Sequence, residues 1–157
     1  MQEVTLKVNG IEYKVNVEAD MNLLEVLRDK LHITSPKVGC NTGDCGACTV
    51  ILDGKLVKSC ITNIMVADGK EVLTVEGLSK PGKLHPIQQS FYENGATQCG
   101  FCTPGMIMAT KALLDSNPNP TEEEIREALS GNLCRCTGYT NIIKAVKEAA
   151  KIMNGGE

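Results

Sequence analysis

Eight cysteines in a 157-residue chain constrain this sequence more than any other feature, because they fall into two sets of four that do not interleave. Cys40, Cys45, Cys48 and Cys60 lie in the first half, and Cys99, Cys102, Cys134 and Cys136 in the second. Four sulfurs is the number one metal centre takes from a protein. The start, Met1-Gln2-Glu3-Val4-Thr5-Leu6-Lys7, has no basic segment followed by an apolar one, so no signal peptide is expected and the chain is placed in the reducing cytoplasm. There, clustered cysteines are more often metal ligands or redox groups than disulfides. The length suits one large domain or two small ones and buries a core without disulfides. A formal net charge of −3, from 16 basic and 19 acidic side chains, speaks against a nucleic-acid binder. No apolar run is long enough to span a bilayer. Aromatic content is only 3%, so parts of the core need another organiser, and bound metal centres can serve.

Hydrophobic periodicity changes part-way along the chain. Val4, Leu6 and Val8 alternate with polar residues, Asn9-Gly10 signals a type I′ hairpin, and Ile11, Tyr13, Val15 and Val17 alternate again. Asp20 is placed to cap a helix with Leu23, Leu24, Leu27 and Leu31 on one face. Thr49–Leu52, Lys55–Cys60 and Glu71–Val75 read as strands, giving a small mixed sheet wrapped on that helix. Residues 77–84 read as a linker. Beyond it four helices are expected: one from Pro86 towards Asn94-Gly95, one capped at Thr103 with Pro104 first, one opened by a Thr121/Glu124 capping box with Ile125, Ala128 and Leu129 inward, and one after Tyr139 carrying Ile142, Ile143, Val146, Ala149 and Ile152. Residues Asn154 to Glu157 read as frayed.

The run Cys40-Asn41-Thr42-Gly43-Asp44-Cys45-Gly46-Ala47-Cys48 has C-x4-C-x2-C spacing, with Cys60 beyond a hairpin. That is the plant-type [2Fe–2S] spacing, whose centres lie at about −400 mV. Three thiolates within nine residues force the loop round a small anionic centre, with backbone N–H groups turned inward. Gly39, Gly43 and Gly46 permit the required positive φ and close approach. Zinc sites favour two separated cysteine pairs, so the spacing speaks for a cluster here. The second set is ambiguous by spacing. Cys99-Gly100-Phe101-Cys102 at a helix start, with Cys134-Arg135-Cys136, suits either a cluster or zinc. A thioredoxin-like pair is disfavoured because no strand precedes Cys99. A helix N-terminus at Cys102 favours thiolate in either case.

Taken together, Gly39–Thr49 with Cys60, Gln98-Cys99-Gly100-Phe101-Cys102-Thr103-Pro104-Gly105-Met106 and Gly131-Asn132-Leu133-Cys134-Arg135-Cys136-Thr137-Gly138-Tyr139 resemble the iron–sulfur small subunits of the molybdenum hydroxylases. That family includes xanthine dehydrogenases, aldehyde oxidoreductases and aerobic-type carbon monoxide dehydrogenases. The resemblance covers nearly the whole chain. It implies an α+β protein: a β-grasp ferredoxin-like domain over 1–76, the 77–84 linker, and a four-helix domain over 85–157. It implies two [2Fe–2S] clusters, one on Cys40, Cys45, Cys48 and Cys60, the other on Cys99, Cys102, Cys134 and Cys136. It also implies a large molybdopterin-binding partner subunit, an FAD-binding partner subunit and a dimer of heterotrimers. Electrons would run from molybdenum through the helical-domain cluster and the ferredoxin-like cluster towards FAD. Gln98 and Cys136 would lie beside the molybdopterin. The holoenzyme's substrate would be a purine such as xanthine, or an aldehyde, carbon monoxide, an N-heterocycle or an aryl thioester.

The remaining residues have plainer readings. The chain carries no G-x-G-x-x-G or P-loop, and two histidines offer no catalytic set, so it is expected to hold no substrate of its own. His32 reads as a solvated helix end and His85 as a helix cap. Glu122-Glu123-Glu124 complements a helix dipole. Arg135 either raises a cluster potential or pairs with a carboxylate. Met106, Ile107 and Met108 read as helix packing. The competing functions are a zinc-stabilised interaction module and a free-standing ferredoxin.

Overall fold

The computed structural model describes residues 1–155, so Gly156 and Glu157 of the expected frayed end lie outside the described residues. Asn154 is not frayed: its side-chain amide donates to Pro118 O at 2.6 Å and to Asn119 Oδ1 at 2.8 Å.

Strands β1 (Gln2–Val8) and β2 (Ile11–Val17) form the expected antiparallel hairpin, with Val8 opposite Ile11. Asn9 and Gly10 sit at φ 51° and 86°, as a type I′ turn demands. The helix after β2 departs from expectation. Asn22, not Asp20, caps it: its side chain accepts from the Glu25 N–H, and the Glu25 carboxylate accepts from the Asn22 N–H. This α1 (Leu23–Glu25) opens into a π-helical turn over Val26–Lys30. Leu23, Val26 and Leu27 enter the sheet's core, Leu24 packs with Cys48 and Cys60 instead, and Leu31 is half-buried.

Strands β3 (Thr49–Leu52), β4 (Lys55–Lys58) and β5 (Glu71–Leu73) complete a mixed sheet of order β2-β1-β5-β3-β4, with β1 and β5 parallel. The strand expected to run to Cys60 ends at Lys58, and Ser59–Ile61 form a 3-10 turn. A short helix, α2 (Ile64–Ala67), follows with Asn63 as its cap; periodicity over four residues is too brief to reveal it.

Helices α3 (Pro86–Glu93), α4 (Thr103–Ser116), α5 (Glu122–Ala128) and α6 (Thr140–Met153) form the second half. His85 caps α3 as expected, its Nδ1 accepting from the Ile87 N–H. Burial, then the nearby Lys111 charge, holds its pKa below the ordinary histidine range. The cap of α4 is Cys102, one residue before Thr103. The Thr121 capping box is half made: Thr121 Oγ1 accepts from Glu124 N–H, but the Glu124 carboxylate turns to the Thr121 hydroxyl and Asn117. Ile152 is 42% exposed rather than inward, and Ala145 and Ala150 fill the buried face of α6 instead. α3 packs on α4 and α6, and α5 on α4 and α6. No described helix is long and apolar enough to cross a membrane.

β3 joins the halves. All four of its residues are buried. Val50 and Leu52 face the core with Val4, Leu6, Leu23, Leu27 and Ile64, whereas Ile51 belongs to the core of Phe91, Met106, Ile125, Ile142 and Val146. A strand covered on both faces reads as an unbroken apolar run, which is why Val50-Ile51-Leu52 does not alternate. Replacing Ile51 by Ala is expected to cost about 2–5 kcal/mol. Denaturant unfolding measures the loss, and hydrogen exchange should show it concentrated where α4 covers β3.

Candidate metal centres

The first quartet is built by one loop and one turn. Residues 39–48 leave the π-helical turn and enter β3; Cys60 sits on the 3-10 turn after β4. Arg28 Nη1 donates to Thr34 O and Pro36 O, each at 2.8 Å, and the Lys37 N–H closes the loop's neck on Ala47 O at 2.9 Å. Inside, Cys40 Sγ accepts from the N–H groups of Thr42, Asp44 and Cys45, each at 3.3 Å, and Cys45 Sγ from Ala47 N–H at 3.4 Å. Asn41, Gly43 and Gly46 take φ of 58°, 81° and 77°, which turns those N–H groups inward. Gly39 serves differently: a Cβ there would meet Cys45 Sγ at 2.5 Å.

The second quartet comes from two interhelical loops. Cys99 and Cys102 lie between α3 and α4, Cys134 and Cys136 between α5 and α6. Thr137 donates to Cys134 Sγ from its N–H at 3.4 Å and its hydroxyl at 3.2 Å. The Cys134 N–H donates to the Tyr139 hydroxyl at 2.9 Å. Tyr139 pays for this with φ 72°, a left-handed conformation uncommon outside glycine.

In the second quartet the sulfurs are grouped two and two. Cys99 and Cys136 Sγ lie 3.5 Å apart, and Cys102 contacts Cys134. In the first quartet Cys48 contacts Cys60, and Cys40 is bonded to the Cys45 N–H. Among the described residues no three Cys, His, Asp or Glu side chains converge on one ion position. A structural zinc needs four donors on one tetrahedron, whereas a diiron centre takes two on each iron, so the donor pairing of the second quartet fits [2Fe–2S] better than zinc.

The thiols differ in acidity for clear reasons. The Thr42 hydroxyl, then the N–H groups of Cys45, Thr42 and Asp44, lower Cys40 to about 5. Burial, then the Cys48 sulfur, pushes Cys60 up to about 11. Burial, then Cys134, pushes Cys102 up to about 12, so the N-terminus of α4 does not make it a thiolate by itself. For Cys134 burial acts upward but is outweighed by Thr137, and the net shift is downward. Contact with Cys99 raises Cys136.

Several residues were not singled out by chemistry in the sequence. Asn132 Nδ2 donates to Gly46 O at 3.0 Å and Thr49 Oγ1 at 3.4 Å. Leu133 N–H donates to Cys45 O at 2.8 Å, and Lys58 Nζ to Gly131 O at 2.5 Å. Cβ atoms on Gly46 or Gly105 would strike backbone of the other loop. The two quartets are thus held side by side, backbone on backbone. No spacing rule marks a bridge between residues 86 positions apart. Gln98, Cys99 and Cys136 are exposed, with the half-exposed apolar Phe101 and Leu133 nearby in sequence. Arg135 is exposed and takes part in none of the ion pairs among the described residues.

Comparison with known proteins divides the chain the same way. Residues 6–74 match the 2Fe-2S iron-sulfur cluster binding domain and residues 74–147 the [2Fe-2S] binding domain. The small FeS subunit of nicotinate dehydrogenase from Eubacterium barkeri is 49% identical over 148 residues, 94% of each chain. The chain belongs to the iron–sulfur small-subunit family of the molybdenum hydroxylases. Within that family, aldehyde oxidoreductase of Megalodesulfovibrio gigas is 47% identical over 99% of this chain, which spans only 17% of that longer protein. A chain in the crystal structure of quinoline 2-oxidoreductase from Pseudomonas putida 86 superposes with a TM-score of 0.94 at 42% identity, covering 99% of this chain and 98% of that one. The α+β fold and the two [2Fe–2S]-binding units stand accordingly.

In the iron-free chain at neutral pH, Cys40 should be alkylated first and Cys60 and Cys102 last, because Cys40 stays thiolate down to about pH 5. Mass spectrometry of iodoacetamide-treated protein checks the order. Thr42→Val should slow Cys40 at mildly acidic pH.

Proposed function

We propose that this chain is the electron-transfer subunit of a molybdenum hydroxylase. The observation that carries the reading is the pair of compact sulfur quartets joined by a direct hydrogen bond between Leu133 and Cys45. In this reading Cys40, Cys45, Cys48 and Cys60 hold one [2Fe–2S] centre, and Cys99, Cys102, Cys134 and Cys136 hold the other. When bound, each centre accepts and returns one electron. The chain's own residues do the rest. Inward N–H groups of Thr42, Asp44 and Cys45 stabilise negative charge at Cys40 Sγ. Thr137 does the same for Cys134.

The partners are those the family resemblance implies, and exposure supports them. Gln98, Cys99 and Cys136 reach solvent together, so that edge is assigned to a large subunit carrying molybdopterin, with Gln98 offering its amide to the pterin and Cys136 lying next to it. An FAD subunit beyond the first quartet, a dimer of heterotrimers and a cytoplasmic location complete the proposal. The substrate is bound by the large subunit. Relatives named for nicotinate, aldehydes and quinoline support adding aldehydes and N-heterocycles to the purines as candidate substrates. The domain limits proposed are 1–76, 77–84 and 85–157.

The purified chain should be red-brown, with about four irons and four sulfides, two of each per centre. Cys45→Ser should remove one cluster's spectrum and keep the other. Colourless protein with zinc and no sulfide would overturn the reading in favour of an interaction module. Purification as a lone chain would favour a free ferredoxin, which has no use for the helical half.

A further inference from the structure

The loop between α5 and α6 does more than carry two cysteines. Its residues Gly131, Asn132 and Leu133 lie across the first cysteine loop and are fastened to it by successive bonds: Lys58 Nζ to Gly131 O at 2.5 Å, Asn132 Nδ2 to Gly46 O at 3.0 Å, and Leu133 N–H to Cys45 O at 2.8 Å. The last bond joins Cys45 of the first quartet to the residue preceding Cys134 of the second. The path from Cys45 Sγ to Cys134 Sγ is therefore covalent except for one gap of 2.8 Å.

That gap depends on its neighbours. Asn132 is only 4% exposed, and a buried amide is retained only where its bonds are made. It donates to the Gly46 carbonyl, which also accepts from the Thr49 N–H at 3.1 Å and the Thr49 hydroxyl at 2.7 Å, and Gly46, at φ 77°, has no room for a side chain against Gly131 O and Asn132. Lys58, two residues before Cys60 in the chain, bonds the Gly131 carbonyl through its ammonium group.

We propose that Asn132 and Lys58 are positioning residues for electron transfer, which clamp the Leu133 N–H onto the Cys45 carbonyl and so maintain the bonded route between the two quartets. The proposal rests on the reading of both quartets as [2Fe–2S] sites. One electron leaves the second quartet and arrives at the first; the donor is oxidised by one electron, the acceptor reduced by one, and no proton or sulfur ligand is exchanged.

The test uses the full iron-loaded chain and reads magnetic coupling rather than turnover. In the fully reduced parent, the electron paramagnetic resonance signals of the two centres should split each other. After rapid one-electron reduction, redistribution between the centres should be fast. Asn132→Ala and Lys58→Met should retain iron and sulfide, weaken the splitting and slow redistribution severalfold. Lys58→Arg should restore both. If Asn132→Ala loses iron, Lys58→Met decides. Variants that melt at lower temperature while splitting and redistribution stay at parental values would reduce these residues to structural contacts and overturn the proposal. A parent chain without two iron centres would instead refute the underlying reading of the quartets.

Discussion

Two sulfurs held in contact, as those of Cys99 and Cys136 are, resist becoming anions together unless positive charge or hydrogen-bond donors are supplied beside them. Every feature of the two centres answers that electrostatic constraint. Around Cys40 the chain supplies N–H dipoles and lowers the thiol to about 5; around Cys60 and Cys102 it supplies little, and burial keeps them protonated at about 11 and about 12. The thiols of one quartet thus differ widely in acidity, and in the other Cys134 is lowered while Cys102 is raised. Metal bound by these sulfurs would displace their protons, and its binding energy would stabilise the loops that present them. The low aromatic content follows the same logic, since inorganic centres take over part of the work of a hydrophobic anchor.

The second constraint is distance. Two redox centres in one chain are useful only if the chain keeps them close and still. Here stillness comes from glycine. Gly46 and Gly105 let backbone meet backbone where any side chain would separate the loops. Ile51 fastens the same region from below, because β3 contributes one side chain to the helical core and its neighbours to the sheet's own core.

The two sulfur quartets are legible in sequence because metal chelation by a short loop imposes fixed spacing, and Cys40-x4-Cys45-x2-Cys48 has few other uses. The hairpin and the long helices are equally plain, since their periodicity extends over whole elements. What sequence conceals is what depends on several residues at once. Asp20 and Asn22 are comparable caps in isolation, and only packing of Leu23, Leu24, Val26 and Leu27 selects Asn22 with a π-helical turn. Ile152 fits the apolar stripe of α6, but that helix outruns the core it covers. Asn132 looks like an ordinary loop amide until Gly46 is placed beneath it. The difference between zinc and diiron at Cys99, Cys102, Cys134 and Cys136 lies in how sulfurs pair, which spacing does not encode.

β3 carries a consequence for modularity. Because Ile51 and Leu73 face the helical core, the sheet is a shared wall rather than the back of a separable module. A fragment cut after Leu78 would turn that wall outward, leaving greasy sheet in water and inviting self-association. Nature can therefore exchange the large partner around this chain, or fuse the chain to it, more readily than it can split the chain's own two halves.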